Sequence, residues 1–204
     1  MTYTLGIYEK SMPGNLSWKE KLTIAKNAGY DFLEMSVDET DEKLARIEWS
    51  KQERKELVDA MYEVGLPIRS MCLSGHRKYP LGSHDPLIRA KSLEIMEKAI
   101  ELADDLGIRI IQLAGYDVYY EDGDQQTKEY FIENLQKAVD MASKKGILLG
   151  FETMETPFMN TVEKAMEYVD IIQSPYLQVY PDTGNLKNAS LSCMNSVYED
   201  IQTG

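Results

Sequence analysis

The chain has 204 residues, 43% of them hydrophobic, enough for one ordinary globular domain with a real core. Its 34 acidic side chains outnumber 22 basic ones and leave a formal charge of −12, which argues against nucleic acid or an anionic membrane as partner, because both call for basic patches. No apolar run approaches the roughly 18–20 residues of a membrane span, and with strand-like sequence from the start no secretory leader is expected.

The two cysteines, Cys72 and Cys193, lie far apart and fit neither a zinc ribbon nor a disulfide framework. Both read as reduced packing residues, and a cytoplasmic protein is expected. A strand-then-helix rhythm then runs from end to end. Residues 3–9 read as a first strand. Residues 18–27 carry apolar side chains at helical spacing behind Ser17 as N-cap, and close at Ala28-Gly29. Residues 31–36 (DFLEMS) form a second strand, followed by an acidic linker and a short turn of helix. Ser50 caps a helix through Val64 that stops at Gly65. Residues 68–74 (IRSMCLS) are the third strand. Asp85-Pro86 opens a long helix to Leu106, with the proline at the first helical position, where its missing N–H costs nothing.

Residues 109–113 (RIIQL) make the fourth strand, and residues 127–145 the next helix. The run from Ile147 to Phe151 shows no polar alternation, suits a parallel strand buried on both faces, and ends in Glu152. A helix covers residues 161–173. The sixth strand, residues 177–181, ends in Asp182 within PDTGN, a sequence that predicts a turn. Residues 191–202 look helical but weakly amphipathic.

Strands alternating with helices imply a parallel sheet with right-handed crossovers. No low-complexity linker divides the chain, so residues 1–204 are expected to form one domain. About six βα units are present, whereas a closed barrel of this type needs eight strands and about 250 residues. The pattern therefore predicts either an open six-stranded sheet or a barrel lacking its last two units, and the end at Gly204 reads as an interruption.

Glu152 and Asp182 end successive parallel strands, where α/β proteins place catalytic groups, and two such acids can converge to seed a metal site. A strand-end acid can equally cap the following helix. Gly75-His76-Arg77-Lys78 is the most cationic loop of an acidic chain; His76 is a candidate to meet a hydroxyl of a ligand, with Arg77 or Lys78 favouring an anionic group, against the alternative of a solvated basic loop. Glu34 interrupts an apolar strand, so it either faces a polar cavity or forms a buried pair. Tyr8 and Glu9 end strand one in the same way. Tyr116, Asp117, Tyr119 and Tyr120 are candidates to wall the pocket. Glu155 reads as loop or helix-entry polarity, His84 as a surface or helix-entry residue, and the 11 methionines as core filler.

The segments LGIYEK, DFLEMSVDETDEKLARIEW, SMCLSGHRKYPLGS, IRIIQLAGYDVYYE and YPDTGNL resemble the L-xylulose/L-ribulose-5-phosphate 3-epimerases, also filed as hexulose-6-phosphate isomerases, within the xylose-isomerase-like TIM barrels. The likeness covers essentially the whole chain. It implies an α/β TIM (β/α) barrel and an isomerase acting on a phosphorylated ketose in L-ascorbate or pentose catabolism. It also implies a divalent metal (Mn, Mg or Zn) held by a Glu after strand five, an Asp after strand six, a His after strand seven and a Glu after strand eight. Carried over by motif, the first two are Glu152 in GFETME and Asp182 in YPDTGN, with Glu152 also one of two proton-transfer acids. The other two would lie beyond Gly204. Competing readings are an aldose–ketose isomerase, an endonuclease-like metal enzyme, and an inactive truncated chain. Unpaired edges at strands one and six predict a homo-oligomer or aggregation, with little bound metal.

Overall fold

A computed structural model describes residues 3–193 and 196–204. In chain order its elements are β1 (Gly6–Tyr8), α1 (Trp18–Asn27), β2 (Phe32–Val37), α2 (Asp41–Leu44), α3 (Lys51–Val64) and β3 (Ile68–Leu73). There follow α4 (Pro86–Leu106), β4 (Ile110–Ala114), α5 (Gln125–Lys144), β5 (Leu148–Glu152), α6 (Val162–Ile172), β6 (Leu177–Tyr180), α7 (Thr183–Cys193) and α8 (Val197–Ile201). Short 3-10 turns cover Glu9–Ser11, Ala45–Glu48 and Ser74–Arg77.

Local chemistry sets the helix starts. Ser17 and Ser50 each accept from the backbone N–H three residues on, while Glu20 and Glu53 reach back to the cap residue, closing two capping boxes. Asp85 accepts from Leu87 N–H at 2.8 Å, and Pro86 stands at the first helical position as predicted. The turn predicted at PDTGN is instead the start of α7. Asp182 Oδ1 accepts from Asn185 N–H at 2.8 Å, so the turn runs on as a capped helix. Residues 194 and 195, within the last predicted helical segment, lie outside the described residues, as does the side chain of Cys193.

The six strands form one parallel sheet in the order β1-β2-β3-β4-β5-β6. Among the described strands, β1 and β6 each pair on one side only. In β5, Leu149, Gly150 and Phe151 are all buried, as the sequence suggested, while the two faces of the sheet differ in chemistry. Leu33, Met35 and Val37 of β2, Met71 and Leu73 of β3, and Leu149 and Phe151 of β5 are fully buried in the hydrophobic core. The residues between them are Glu34, Ser36, Ser70, Cys72, Gly150 and Glu152, so small and polar side chains take the other face. That face is concave. A hydrogen bond from Tyr180 of β6 to Glu34 of β2, at 3.0 Å, shows how far the sheet curls.

The edge strand β1 has only three residues and is anchored by charge. Glu9, directly after it, is 1% exposed and accepts from Lys21 Nζ at 3.0 Å, Arg46 Nη2 at 3.1 Å and Ser36 N–H at 2.8 Å. The Arg46 guanidinium lies over the Trp18 and Trp49 rings, at 4.9 and 5.9 Å from their centroids. Glu9 is thus a buried structural pair rather than a pocket residue.

Candidate active site

A cavity of about 690 Å³ opens at the C-terminal ends of the strands. Of the residues singled out in the sequence, Tyr8, Glu34, Arg77, Glu152 and Asp182 all line it, brought together from β1, β2, the turn after β3, β5 and the segment after β6.

Glu152 is the last residue of β5, paired in register with Ala114 and Tyr180. The loop after β4 presses on it from one side: a Cβ at Gly115 would stand 2.5 Å from the Glu152 carbonyl oxygen, so only glycine lets that backbone approach so closely. Burial, reinforced by the charges of Asp182 and Glu34 and only partly offset by Arg77, pushes the Glu152 carboxyl up to about 7. A carboxyl in that range exchanges a proton at neutral pH, as a general base must. Asp182 is held by its neighbours: its N–H donates to Thr153 Oγ1 at 3.0 Å, and Asn185, whose N–H it caps, donates from Nδ2 to the Thr153 carbonyl at 2.9 Å.

Glu34 accepts from Ser70 Oγ at 2.6 Å and from Tyr180 Oη at 3.0 Å. Tyr8 donates to Ser36 Oγ at 3.1 Å, and burial raises its phenol well above the ordinary value. Both stand on the cavity wall as hydrogen-bonding groups.

Arg77 lines the cavity, its guanidinium 4.7 Å from the Tyr119 ring centroid and 3.7 Å from Glu39 Oε1, with a buried Nε that finds no hydrogen-bond partner among the described residues. The second cation on the wall, Lys10, was missed by the sequence reading; it pairs with Asp38 at 2.5 Å. Burial opposes ionisation of Asp38, but Lys10 and Thr40 outweigh it and hold its carboxyl at about 2. Gln112, Ser74 and Tyr180 were also missed, and Cys72, expected as packing, lines the cavity as a thiol whose pKa burial pushes to about 11. Strand alternation marks Gln112 and Cys72 as inward once Glu34 is known to be inward; that was the usable signal.

His76 is a correction. It is 5% exposed, is not among the lining residues, and its Nε2 lies 3.1 Å from the Ser92 carbonyl of α4. The 3-10 turn that carries Arg77 to the cavity turns His76 towards α4. Burial lowers its pKa to about 4. The neutral ring is favoured in the folded state, so stability is complete above about 6.5 and falls as pH drops towards 4. Leucine at position 76 is expected to remove a pH slope of roughly 1 kcal/mol per unit in that window, as measured by urea unfolding at several pH values.

The tyrosine loop stands one layer back. Tyr119 stacks on Arg77 and Tyr120 Oη donates to Glu39 at 3.2 Å, but neither is on the wall, and Tyr116 is 3% exposed. Asp117 is 4% exposed and accepts from Thr127 Oγ1 at 2.5 Å, a structural role. Glu155 is exposed, as expected, and the exposed His84 lies 3.3 Å from Asp124 Oδ2.

Residues 22–195 match the family described as Xylose isomerase-like TIM barrel. The L-ribulose-5-phosphate 3-epimerase UlaE of Shigella boydii serotype 18 is 49% identical over 200 residues, which cover 98% of this chain and 69% of that protein. Among solved structures, D-psicose 3-epimerase in the presence of D-fructose superposes with a TM-score of 0.82 at 18% identity, covering 98% of this chain and 69% of that one. A xylose isomerase-like TIM barrel protein from Mycobacterium smegmatis in complex with magnesium gives 0.67 at 18% identity, covering 91% and 66%. The chain belongs to the xylose isomerase-like TIM barrel family. Within it, the chain is an isomerase of the carbohydrate-epimerase kind. No helix among the described residues is long and apolar enough to cross a membrane.

Proposed function

We propose that the chain is a divalent-metal-dependent 3-epimerase of a ketopentose 5-phosphate, interconverting L-xylulose 5-phosphate and L-ribulose 5-phosphate in L-ascorbate and pentose catabolism. The observation that carries this reading is Glu152, a carboxyl poised at about 7 at the end of β5 and facing a polar cavity.

The residues fit a hard divalent cation in part. Glu152 and Asp182 offer oxygen donors; burial chiefly raises Glu152, and the added repulsion from Asp182 is what a cation would relieve. Among the described residues no group of three or more His, Cys, Asp or Glu is placed to hold a metal, so these two supply only half of the four-ligand set that the resemblance implies. When bound, such a cation would polarise the ketone as a Lewis acid.

The chain's own groups supply the rest. Glu152 takes the proton from carbon 3, whose electrons move into the enediolate, and the family pattern gives the return on the opposite face to a glutamate after an eighth strand. Glu34 accepts a sugar hydroxyl, and Tyr8 borders the same wall. Arg77 and Lys10, the cations of the cavity wall, suit the phosphate. A phosphorylated ketose is therefore the proposed partner, and single-sided pairing of β1 and β6 supports a homo-oligomer.

Incubation with L-ribulose 5-phosphate in deuterated water with Mn²⁺, Mg²⁺ or Zn²⁺ tests the reading. Deuterium and inversion at carbon 3 are expected. An aldose product labelled at carbon 2 would instead establish an aldose–ketose isomerase, and no exchange would make this chain inactive by itself.

A further inference from the structure

Tyr180 spans the site from one edge of the sheet towards the other. Its ring leaves the edge strand β6 and crosses the concave face, so that Oη donates to Glu34 of β2 at 3.0 Å. Two features of the backbone accommodate this reach. On β5, residue 150 is glycine, and a Cβ there would stand 3.2 Å from Tyr180 Cβ and 3.5 Å from Cδ2, tighter than a neighbour tolerates without shifting. Between β2 and β3 the register slips: Leu33 pairs with Ile68 but Glu34 with Ser70, leaving Arg69 as the extra residue. The slip places Ser70 beside Glu34, and its Oγ donates at 2.6 Å.

Both hydrogen bonds fall on the same oxygen, Oε2. Among the described residues no hydrogen bond to Oε1 is found, and Glu34 lines the cavity. Two donors on one oxygen fix the plane of the carboxylate and leave its second oxygen to accept from a ligand. Such a group recognises a donor, and in a sugar the donors are hydroxyls.

We propose that Tyr180 is a positioning residue that, with Ser70, fixes Glu34 so that Oε1 selects one hydroxyl of the ketose, making Glu34–Tyr180 a specificity device for hydroxyl pattern. This rests on the epimerase reading above. A site built to pair a hydroxyl rejects the analogue lacking it far more strongly than an apolar pocket rejects a missing methylene. Tyr180 contributes no proton to the reaction. Its phenol, pushed up to about 12 chiefly by burial, stays a donor throughout the neutral range.

The test is calorimetric binding of L-ribulose 5-phosphate and of its 3-deoxy and 4-deoxy analogues to the whole chain, with the Tyr180→Phe variant beside it. Phenylalanine keeps the ring over Gly150 and removes only the hydroxyl. The natural ketose is expected to bind about tenfold more weakly to Tyr180→Phe, while one of the two deoxy analogues binds both proteins alike. Gly150→Ala, which displaces the ring, should give the same pattern. A merely structural role for Tyr180 would weaken all three ligands equally, and that result overturns the inference. So does unchanged binding of the natural ketose. If the unaltered chain binds none of the three, the epimerase reading falls and takes this inference with it, a result distinguishable from failure of the Tyr180 step alone.

Discussion

Replacing Glu152 by glutamine is expected to lower kcat/KM for the ketopentose phosphate by on the order of a thousandfold while making the protein more stable at alkaline pH. The loss of activity follows from removing the base, a contribution typically worth about 10²–10⁴ in rate. The gain in stability follows from the same burial that makes Glu152 useful. Its folded pKa is about 7 against 4.5 for the free side chain. The folded state therefore holds this proton more tightly than the unfolded one, and stability falls as pH rises from about 4.5 to 7. Above pH 7 the full cost remains, on the order of 2 kcal/mol once partial solvent access is allowed for. Glutamine carries no charge and escapes it.

His76 runs in the opposite sense, gaining stability as pH rises from about 4 to 6.5. In the unaltered protein the two slopes offset each other, and each single variant uncovers the other's. Unfolding curves between pH 4.5 and 8 check this: His76→Leu should be destabilised by rising pH, Glu152→Gln stabilised by it, and the double variant nearly flat. Parallel curves for all four proteins would contradict both assignments.

The sequence carried the parts of this architecture that depend on near neighbours. Ser17, Ser50 and Asp85-Pro86 mark their helix starts to the residue, because a cap is decided within four positions. Glu152 and Asp182 were legible for a related reason, since strand ends follow from the same local punctuation and the architecture puts function there. What stayed hidden was decided at long range. Glu9 and Glu34 look alike in sequence, each an acid at or within a short apolar strand. Arg46, 37 residues away, buries the first as an ion pair; Tyr180, 146 residues away, turns the second into a cavity acceptor. His76 and Arg77 are adjacent, yet one packs on α4 and the other reaches the cavity, because the turn after β3 is 3-10 rather than extended. Charge in a loop predicts a cationic turn and not which member of it faces the ligand.

The other large effect is expected at Arg46, far from any reacting atom. Methionine there fills a similar volume between Trp18 and Trp49 but leaves Glu9, 1% exposed, without its bidentate partner. Breaking one side of a buried pair costs about 3–5 kcal/mol, because the remaining charge is stranded. Lys21 stays at 3.0 Å and limits the damage without removing it. Burial by itself would raise the Glu9 carboxyl; the hydrogen bonds from Arg46, Ser36 and Lys21 outweigh that and hold it below its ordinary value. In the unaltered protein this contribution is therefore present above about pH 4.5 and lost as pH falls through the lowered pKa. In Arg46→Met most of it is gone at every pH. Replacing both partners, Glu9→Leu with Arg46→Met, is expected to recover most of the loss, since a matched apolar pair removes the stranded charge. The consequence reaches the cavity because Tyr8 and Lys10 flank Glu9 and both stand on the wall. With β1 only three residues long and paired on one side, the ion cluster is what fixes that wall. Arg46→Met should thus weaken ketopentose-phosphate binding as well as lower the unfolding midpoint. The double variant should restore the midpoint more fully than the binding, because leucine at position 9 cannot accept from the Ser36 N–H that aligns Tyr8 with β2. Urea unfolding and calorimetry on the three variants decide the point; equal recovery of both quantities would show that the cluster supports the fold without shaping the site.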